Sequence, residues 1–235
     1  MILAIAALVG LCTTRDVGGV QVSVCEFSIG RDDVELYWRD ASGRPIGSFA
    51  RLDSIVRSHG RHLAFATNGG IFAVGQVPLG LFVQDGHMLV PLNTRDSTAD
   101  PPPNFYLKPN GVFYVTKGRA AIVESGAYPA LAVTPDLAVQ SGPLLVSGGR
   151  IHPAFNSAGL SKYVRNGVGV RSDGTIVFAM ARDPVNLYTL ATIFRDALHC
   201  PDALYLDGAI SQFYVAPDRP DTDGQFAGII AVTVR

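Results

Sequence analysis

Cysteine is scarce: 3 residues in 235, with no C-x-x-C pair and no Cys/His cluster. Structural zinc sites, which gather four such ligands over short spacings, are therefore not expected. No dense lysine or arginine run occurs, and 19 basic side chains face 20 acidic ones for a net charge of −1. The electrostatic footprint of a nucleic-acid binder is missing. Charged residues make up only 17% of the chain against 48% hydrophobic, which excludes a disordered polymer and predicts a packed body. No long hydrophilic linker and no internal repeat divides the sequence, so one domain is expected. Neither Ser141 nor Ser211 sits in a G-x-S-x-G elbow, the usual setting of an α/β-hydrolase nucleophile.

Against these absences stand 25 glycines and 15 prolines, a turn-rich composition that favours strands. Met1 to Cys12 is an almost unbroken apolar run, too short to span a bilayer but suited to the core of a signal peptide. The alternative is a buried N-terminal strand or helix. On the export reading, residues 1–19 form a leader and 20–235 the domain, which is secreted or periplasmic with no stable membrane span afterwards. Cys12 then departs with the leader, leaving Cys25 and Cys200 as an even pair able to bridge in an oxidising compartment.

Three hairpins are expected. Leu81 to Val90 turns at Asp85-Gly86, Phe105 to Val115 at Asn110-Gly111, and Val168 to Met180 at Asp173-Gly174. A further strand pair is expected within Val20 to Trp38. Apolar spacing predicts helices over Ser48 to His59, capped by Ser48, and over Pro184 to Leu198, opened by Asp183 and Pro184. Each runs into a short strand, His62 to Ala66 and Ala203 to Leu206, which suggests some local parallel pairing. Thr94 to Asn104, polar and proline-rich, reads as a surface loop near the site. The fold class expected is α+β: a single domain with a large mixed, mostly antiparallel sheet and a few packed helices.

Four polar segments interrupt the apolar runs, and the first two strands just described end in one each. Thr67-Asn68-Gly69-Gly70 offers an amide for a sugar hydroxyl and glycine N–H groups for an anion. Gln140-Ser141-Gly142-Pro143 offers mixed donors and acceptors. Arg165, before the strand-like NGVGV, brings a planar fork matched to phosphate oxygens. Asp207-Gly208, with Ser211 following, puts a carboxylate at the end of the apolar run ALYL, partly desolvated and open to pKa tuning. Taken singly, each motif is also explained by a tight turn or a surface arginine.

The ordered set ATNGGIF, PLGLFV, NFYLKPNGVFYV, AVQSGPLLV, RNGVGV and ALYLDGAIS resembles the phosphodiester glycosidase family. That domain is typified by the enzyme that uncovers mannose 6-phosphate by removing N-acetylglucosamine, and the chain is most similar to its small bacterial branch. The resemblance runs from about Cys25 to the C-terminus, with one departure: many members carry further glycines after LDG, where this chain reads LDGAIS. It implies hydrolysis of a sugar 1-phosphodiester and maps family motif residues onto Asn68, Gly69, Gly142, Arg165, Asp207 and Ser211.

The residues fit that chemistry. Ordinary glycosidases use two carboxylates, one of which protonates a poor leaving group. A phosphate monoester departs as a weak base, so one carboxylate and an anion cradle suffice. The assignment is Asp207 as base or nucleophile-activator, Arg165 on the phosphate and Asn68 as a third catalytic-site residue. Gly69, Gly70, Gln140, Ser141, Gly142, Gly208 and Ser211 are expected to bind substrate. No metal or other cofactor is assigned, the partner is a sugar phosphodiester or glycan, and oligomeric state stays open. Two other readings compete: a carbohydrate-binding domain without catalysis, and a serine hydrolase built on Ser141 or Ser211.

Overall fold

Apolar runs of four to eight residues, many of them β-branched, make strands that can be buried on both faces. The structure, a computed structural model, describes residues 12–208 and 210–235. Most of the expected leader thus lies outside the described residues. In chain order the strands begin with β1 (Cys12–Val17), β2 (Val20–Phe27), β3 (Asp33–Tyr37), β4 (His62–Asn68), β5 (Phe72–Ala73), β6 (Val77–Pro78), β7 (Phe82–Gln84), β8 (His87–Val90) and β9 (Gly111–Thr116). They continue with β10 (Arg119–Glu124), β11 (Leu137–Ser141), β12 (Leu144–Ser147), β13 (Arg150–Ile151), β14 (Asn166–Val170), β15 (Ile176–Ala181), β16 (Asp202–Asp207), β17 (Phe213–Val215) and β18 (Ile229–Val234). Helix α1 spans Phe49–Ser58, and α2 spans Leu187–Thr192 before widening into a π-type turn over Ile193–Ala197.

The strands form a seven-stranded sheet ordered β1-β2-β15-β14-β16-β12-β13, a five-stranded sheet β10-β9-β11-β7-β8 and a four-stranded sheet β17-β4-β18-β3. β5 and β6 pair as a small ribbon. The fold is α+β, mostly β and antiparallel, in one domain. The sheets meet around phenylalanines drawn from each: Phe27 and Phe178 from the first, Phe113 and Phe82 from the second, Phe65 from the third. The Phe27–Phe65 and Phe65–Phe178 ring centroids are both 5.1 Å apart. Each such side chain contributes about 1.5–3 kcal/mol on burial, so this junction is the main apolar anchor of the fold. α1 packs Phe49, Leu52 and Val56 on the other face of the four-stranded sheet, while Leu190, Ile193 and Phe194 cover the seven-stranded one.

Several expectations hold in detail. The hairpins at Asp85-Gly86 and Asp173-Gly174 form as β7–β8 and β14–β15. α1 is capped as expected, with Ser48 Oγ accepting from the Arg51 N–H at 3.3 Å. Others need correction. Asn110-Gly111 does not turn a hairpin, because Asn110 is buried and its side chain donates to the Phe105 carbonyl at 2.7 Å, so β9 pairs onward with β10. The strands in Val20 to Trp38 exist but belong to different sheets. No parallel pairing follows either helix: β4 lies antiparallel to β17 and β18, and β16 to β12 and β14. α2 starts later than expected because Val185 exchanges backbone hydrogen bonds with Tyr163, which holds the chain extended until Asn186 takes the cap.

The cysteine pairing also differs. Cys12 and Cys25 are bridged across β1 and β2, which face each other in register, while Cys200 is a free, buried thiol. Residues 12–19, assigned to the leader on the export reading, form β1 and its turn into β2.

Candidate functional site

Antiparallel pairing of β14 with β16 sets Asn166, the first residue of one, against Asp207, the last residue of the other. Arg165, one residue earlier, therefore reaches the same sheet end from the neighbouring strand. A cleft of about 540 Å³ opens there, lined by Arg165, Tyr205, Asp207 and Gly208, with Ser161 and Tyr163 on one side. Pro101, Pro102, Pro103 and Asn104 form another wall, so the proline-rich loop does border this cleft.

Arg165 is only 1% exposed. Its Nε donates to the Val185 carbonyl at 2.9 Å, Nη2 to the carbonyl and hydroxyl of Ser161 at 3.1 and 3.2 Å, and Nη1 to the Tyr205 hydroxyl at 2.7 Å. Rings of Tyr163 and Tyr205 lie 5.1 and 5.2 Å from its guanidinium carbon. All these partners are neutral, and among the described residues no ion pair engages this guanidinium. A guanidinium carries five N–H groups, and bonds to described residues account for four of them, with one on Nη1 remaining. A buried charge is costly, and negative charge in the cleft, from the Asp207 carboxylate or from a bound anion, offsets that cost. Burial, partly offset by the Arg165 charge, pushes the Tyr205 phenol well above its ordinary pKa. It stays protonated near neutral pH and accepts from Arg165, with the Asn104 side chain as a further hydrogen-bond partner.

Behind the cleft, Asn68 and Asn166 join the four- and seven-stranded sheets. Asn166 Nδ2 donates to Asn68 Oδ1 at 2.9 Å and to Thr67 Oγ1 at 2.7 Å. Asn166 Oδ1 accepts the Asp207 backbone N–H at 3.2 Å, with the Ser211 hydroxyl also 3.2 Å away. Ser211 Oγ donates to the Asp207 carbonyl at 2.5 Å. Both asparagines are at most 1% exposed, so they fix the backbone that carries Asp207 rather than meeting solvent.

Of the sequence-derived candidates, Arg165, Asp207 and Gly208 line one cleft, and Asn68 and Ser211 stand directly behind it. The others are structural ties that do not line it. Gln140 Oε1 accepts from the backbone of Leu81 and Asn93 at 3.0 and 2.9 Å, and its Nε2 donates to the Asn93 carbonyl at 2.7 Å. Ser141 Oγ donates to the Leu206 carbonyl at 3.0 Å, pinning the five-stranded sheet to β16. The Gly69 N–H is spent on the Gly228 carbonyl at 2.8 Å. A β-carbon at Gly70 would come within 2.9 Å of Val139, and one at Gly142 within 2.5 Å of Asn110, so close packing accounts for both. No histidine hydrogen-bonds to Ser141 or Ser211 among the described residues; Ser141 Oγ donates to the Leu206 carbonyl and Ser211 Oγ to the Asp207 carbonyl. No group of three or more His, Cys, Asp or Glu able to hold a metal occurs among them either.

Sequence reasoning passed over Tyr205, Ser161 and Asn166. Tyr205 was signalled: two residues before Asp207 on a strand, it shares that face. Asn166 lay inside the RNGVGV motif but drew no role, because a strand-initial asparagine looks like any other. Ser161 carried no local signal at all.

Comparison with known proteins places this geometry. The phosphodiester glycosidase family model matches residues 61–232, covering β4 through most of β18. The Escherichia coli protein YigE, described as uncharacterized, is 36% identical over 182 residues, which is 77% of this chain and 69% of that one. Among solved structures, the pro-peptide-inhibited catalytic domain of zebrafish N-acetylglucosamine-1-phosphodiester alpha-N-acetylglucosaminidase superposes with a TM-score of 0.63 at 15% identity. That match covers 94% of this chain and 81% of the zebrafish one. A hypothetical protein from Synechocystis gives 0.57 at 17% identity, over 95% of this chain and 61% of its own. The solved structures establish a shared fold, and the family match over most of the chain establishes more: this protein belongs to the phosphodiester glycosidase family.

Proposed function

We propose that the protein hydrolyses a sugar 1-phosphodiester outside the cytoplasm, with Arg165 holding the phosphate and Asp207 acting as the base. The carrying observation is the pairing in one cleft of a buried guanidinium, whose hydrogen bonds to described residues all go to neutral groups, with a carboxylate at a strand end. Family membership supports the reaction class. The Cys12–Cys25 bridge supports an oxidising compartment, and no described helix is long and apolar enough to cross a membrane.

On this reading the phosphate enters charged, accepts the remaining Nη1 N–H of Arg165 and takes a second hydrogen bond from the Tyr205 hydroxyl. Asp207 then removes a proton from the attacking water as the bond from the anomeric carbon to the phosphate oxygen breaks. The phosphate monoester leaves with the bonding electrons, and its negative charge stays against Arg165. Positioned base catalysis is worth about 10²–10⁴-fold, which sets the scale for losing Asp207. Asn68 and Asn166 act through Asp207 by fixing its backbone.

The test is a panel of sugar 1-phosphodiesters incubated with wild type, Asp207→Asn and Arg165→Lys, with folding checked by circular dichroism. Asp207→Asn is expected to lower kcat by about 100-fold or more with KM little changed, whereas Arg165→Lys raises KM. A folded Asp207→Asn that turns over normally would remove Asp207 from the mechanism. Binding without cleavage by wild type would favour a carbohydrate-binding domain instead.

A further inference from the structure

Arg165 and Ser161 line not one cavity but two. On the other side of them lies a smaller pocket of about 190 Å³, walled by Leu107, Phe155 and Leu187 and bordered by Asn186 and Tyr188. A dry apolar cavity of about 150 Å³ accommodates benzene, so this space takes a ring or a short hydrocarbon chain. Three of the polar side chains around it, Asn186, Ser161 and Arg165, are committed to the protein. Asn186 donates to the carbonyls of Ser157 and Gly159, both at 3.0 Å, and accepts from the Thr189 N–H at 2.8 Å. The Ser161 carbonyl and hydroxyl both accept from Arg165. A sugar placed here would leave most of its hydroxyls without partners, at about 1–3 kcal/mol for each one buried. Leu160, next in the chain to Ser161, is 94% exposed, and Tyr163, which lines the larger cleft, is 54% exposed. Both are apolar surfaces left in water beside the site.

We propose that the phosphodiester held at Arg165 carries an apolar alcohol, with its hydrocarbon or aryl group in the smaller pocket and its sugar in the larger cleft. This rests on the phosphodiester reading above and extends it to the substrate class: a glycosyl phosphate ester of a hydrophobic alcohol, not of a second sugar. Arg165, shared by the two cavities, places the phosphate between the two ends of such a molecule.

Two measurements separate this inference from the reading beneath it. In calorimetric titrations of the full chain, hexyl phosphate and phenyl phosphate should each bind at least tenfold tighter than inorganic phosphate or glucose 6-phosphate. Leu187→Asn should erase that preference while leaving inorganic phosphate binding unchanged, and Phe155→Leu, which keeps the pocket apolar, should largely preserve it. In parallel, wild type is offered pairs of sugar 1-phosphodiesters that share a sugar and differ in carrying a hexyl or a glycosyl alcohol. A preference of at least tenfold in kcat/KM for the hexyl ester is expected. Equal binding of hexyl phosphate and inorganic phosphate overturns the apolar subsite whatever the hydrolysis assay gives, as does equal or faster cleavage of the glycosyl esters. A clear hexyl phosphate preference with no ester cleaved sinks the hydrolytic reading and leaves the subsite standing.

Discussion

Replacing Gly208 by alanine tests how tightly the cleft floor is built. A β-carbon there would lie 1.9 Å from the Tyr205 hydroxyl oxygen, 3.1 Å from Tyr205 Cζ and 3.0 Å from Arg165 Nη1. The φ of Gly208 is not left-handed, so the cost is steric and not a matter of backbone preference. To reach the 3.4 Å of ordinary contact the phenol oxygen must retreat by about 1.5 Å, which breaks its 2.7 Å bond to Arg165. Overpacking costs about 1–3 kcal/mol, and a hydrogen bond to a charged group adds about 1.5–3 kcal/mol. A net loss of about 2.5–6 kcal/mol follows, or about 5–24 °C in Tm for a domain of this size. Tyr205→Phe removes the oxygen at 1.9 Å and leaves the 3.1 Å contact with Cζ and the 3.0 Å contact with Arg165 Nη1, each relieved by a shift of a few tenths of an ångström. In that background Gly208→Ala should cost less than about 1 kcal/mol. A double-mutant cycle in urea, read by fluorescence, therefore predicts a coupling of at least about 1 kcal/mol. If the two substitutions prove additive within about 0.5 kcal/mol, the phenol does not occupy the space above Gly208 and the described cleft floor is wrong.

Asn166→Ala deletes a side chain that bonds Thr67, Asn68 and the Asp207 backbone. It should lower stability by about 2–4 kcal/mol in denaturant unfolding, and stability within about 0.5 kcal/mol of wild type would show that the sheets are joined by packing alone. Dithionitrobenzoate should find no reactive thiol in the native protein and one per chain after unreduced denaturation, because Cys200 is buried, with its pKa pushed up to about 12, and the other two cysteines are bridged. Hydrogen bonds from Arg171 hold Glu26 below its ordinary value of 4.5. A depressed carboxylate contributes stability above its unfolded pKa and loses it as pH falls through the folded one. Stability should thus decline as pH drops below about 4.5, less steeply in Glu26→Gln, and parallel acid-unfolding curves for the two proteins would count against the Glu26–Arg171 contribution.

The sequence carried the strands better than their partners. A strand such as Ile176–Ala181 is apolar throughout because both its faces are covered, one by the aromatic junction and the other by α2 and its π-type turn, and such a run is legible without a fold. Which strands join which sheet depends on contacts far apart in the chain. β3 looked like the partner of β2, yet it pairs with β18 at the far end of the sequence. Asn110-Gly111 has the dipeptide of a tight hairpin, and only its burial against Phe105 reveals the other use. Cys12 was read through its place in an apolar run, while the register of β1 on β2 sets it directly opposite Cys25.

At the site, residue type separated chemistry from support less well than unused bonding capacity does. Gln140 and Arg165 are both polar, both next to strands and both at most 2% exposed. Gln140 has its oxygen doubly accepting and one N–H bound to a backbone carbonyl, carries no charge and lines no part of the cleft. Arg165 is tied just as firmly, yet an N–H and a full positive charge remain beyond what its neutral partners satisfy. Three sheets converging at one point require buried polar ties there, since strand ends leave backbone groups that need partners. That same point is where strand-end side chains meet a cleft. A family motif read by letter mixes the two roles, and charge beside a cavity, which only the assembled fold displays, is what makes Arg165 the candidate for more than a tie.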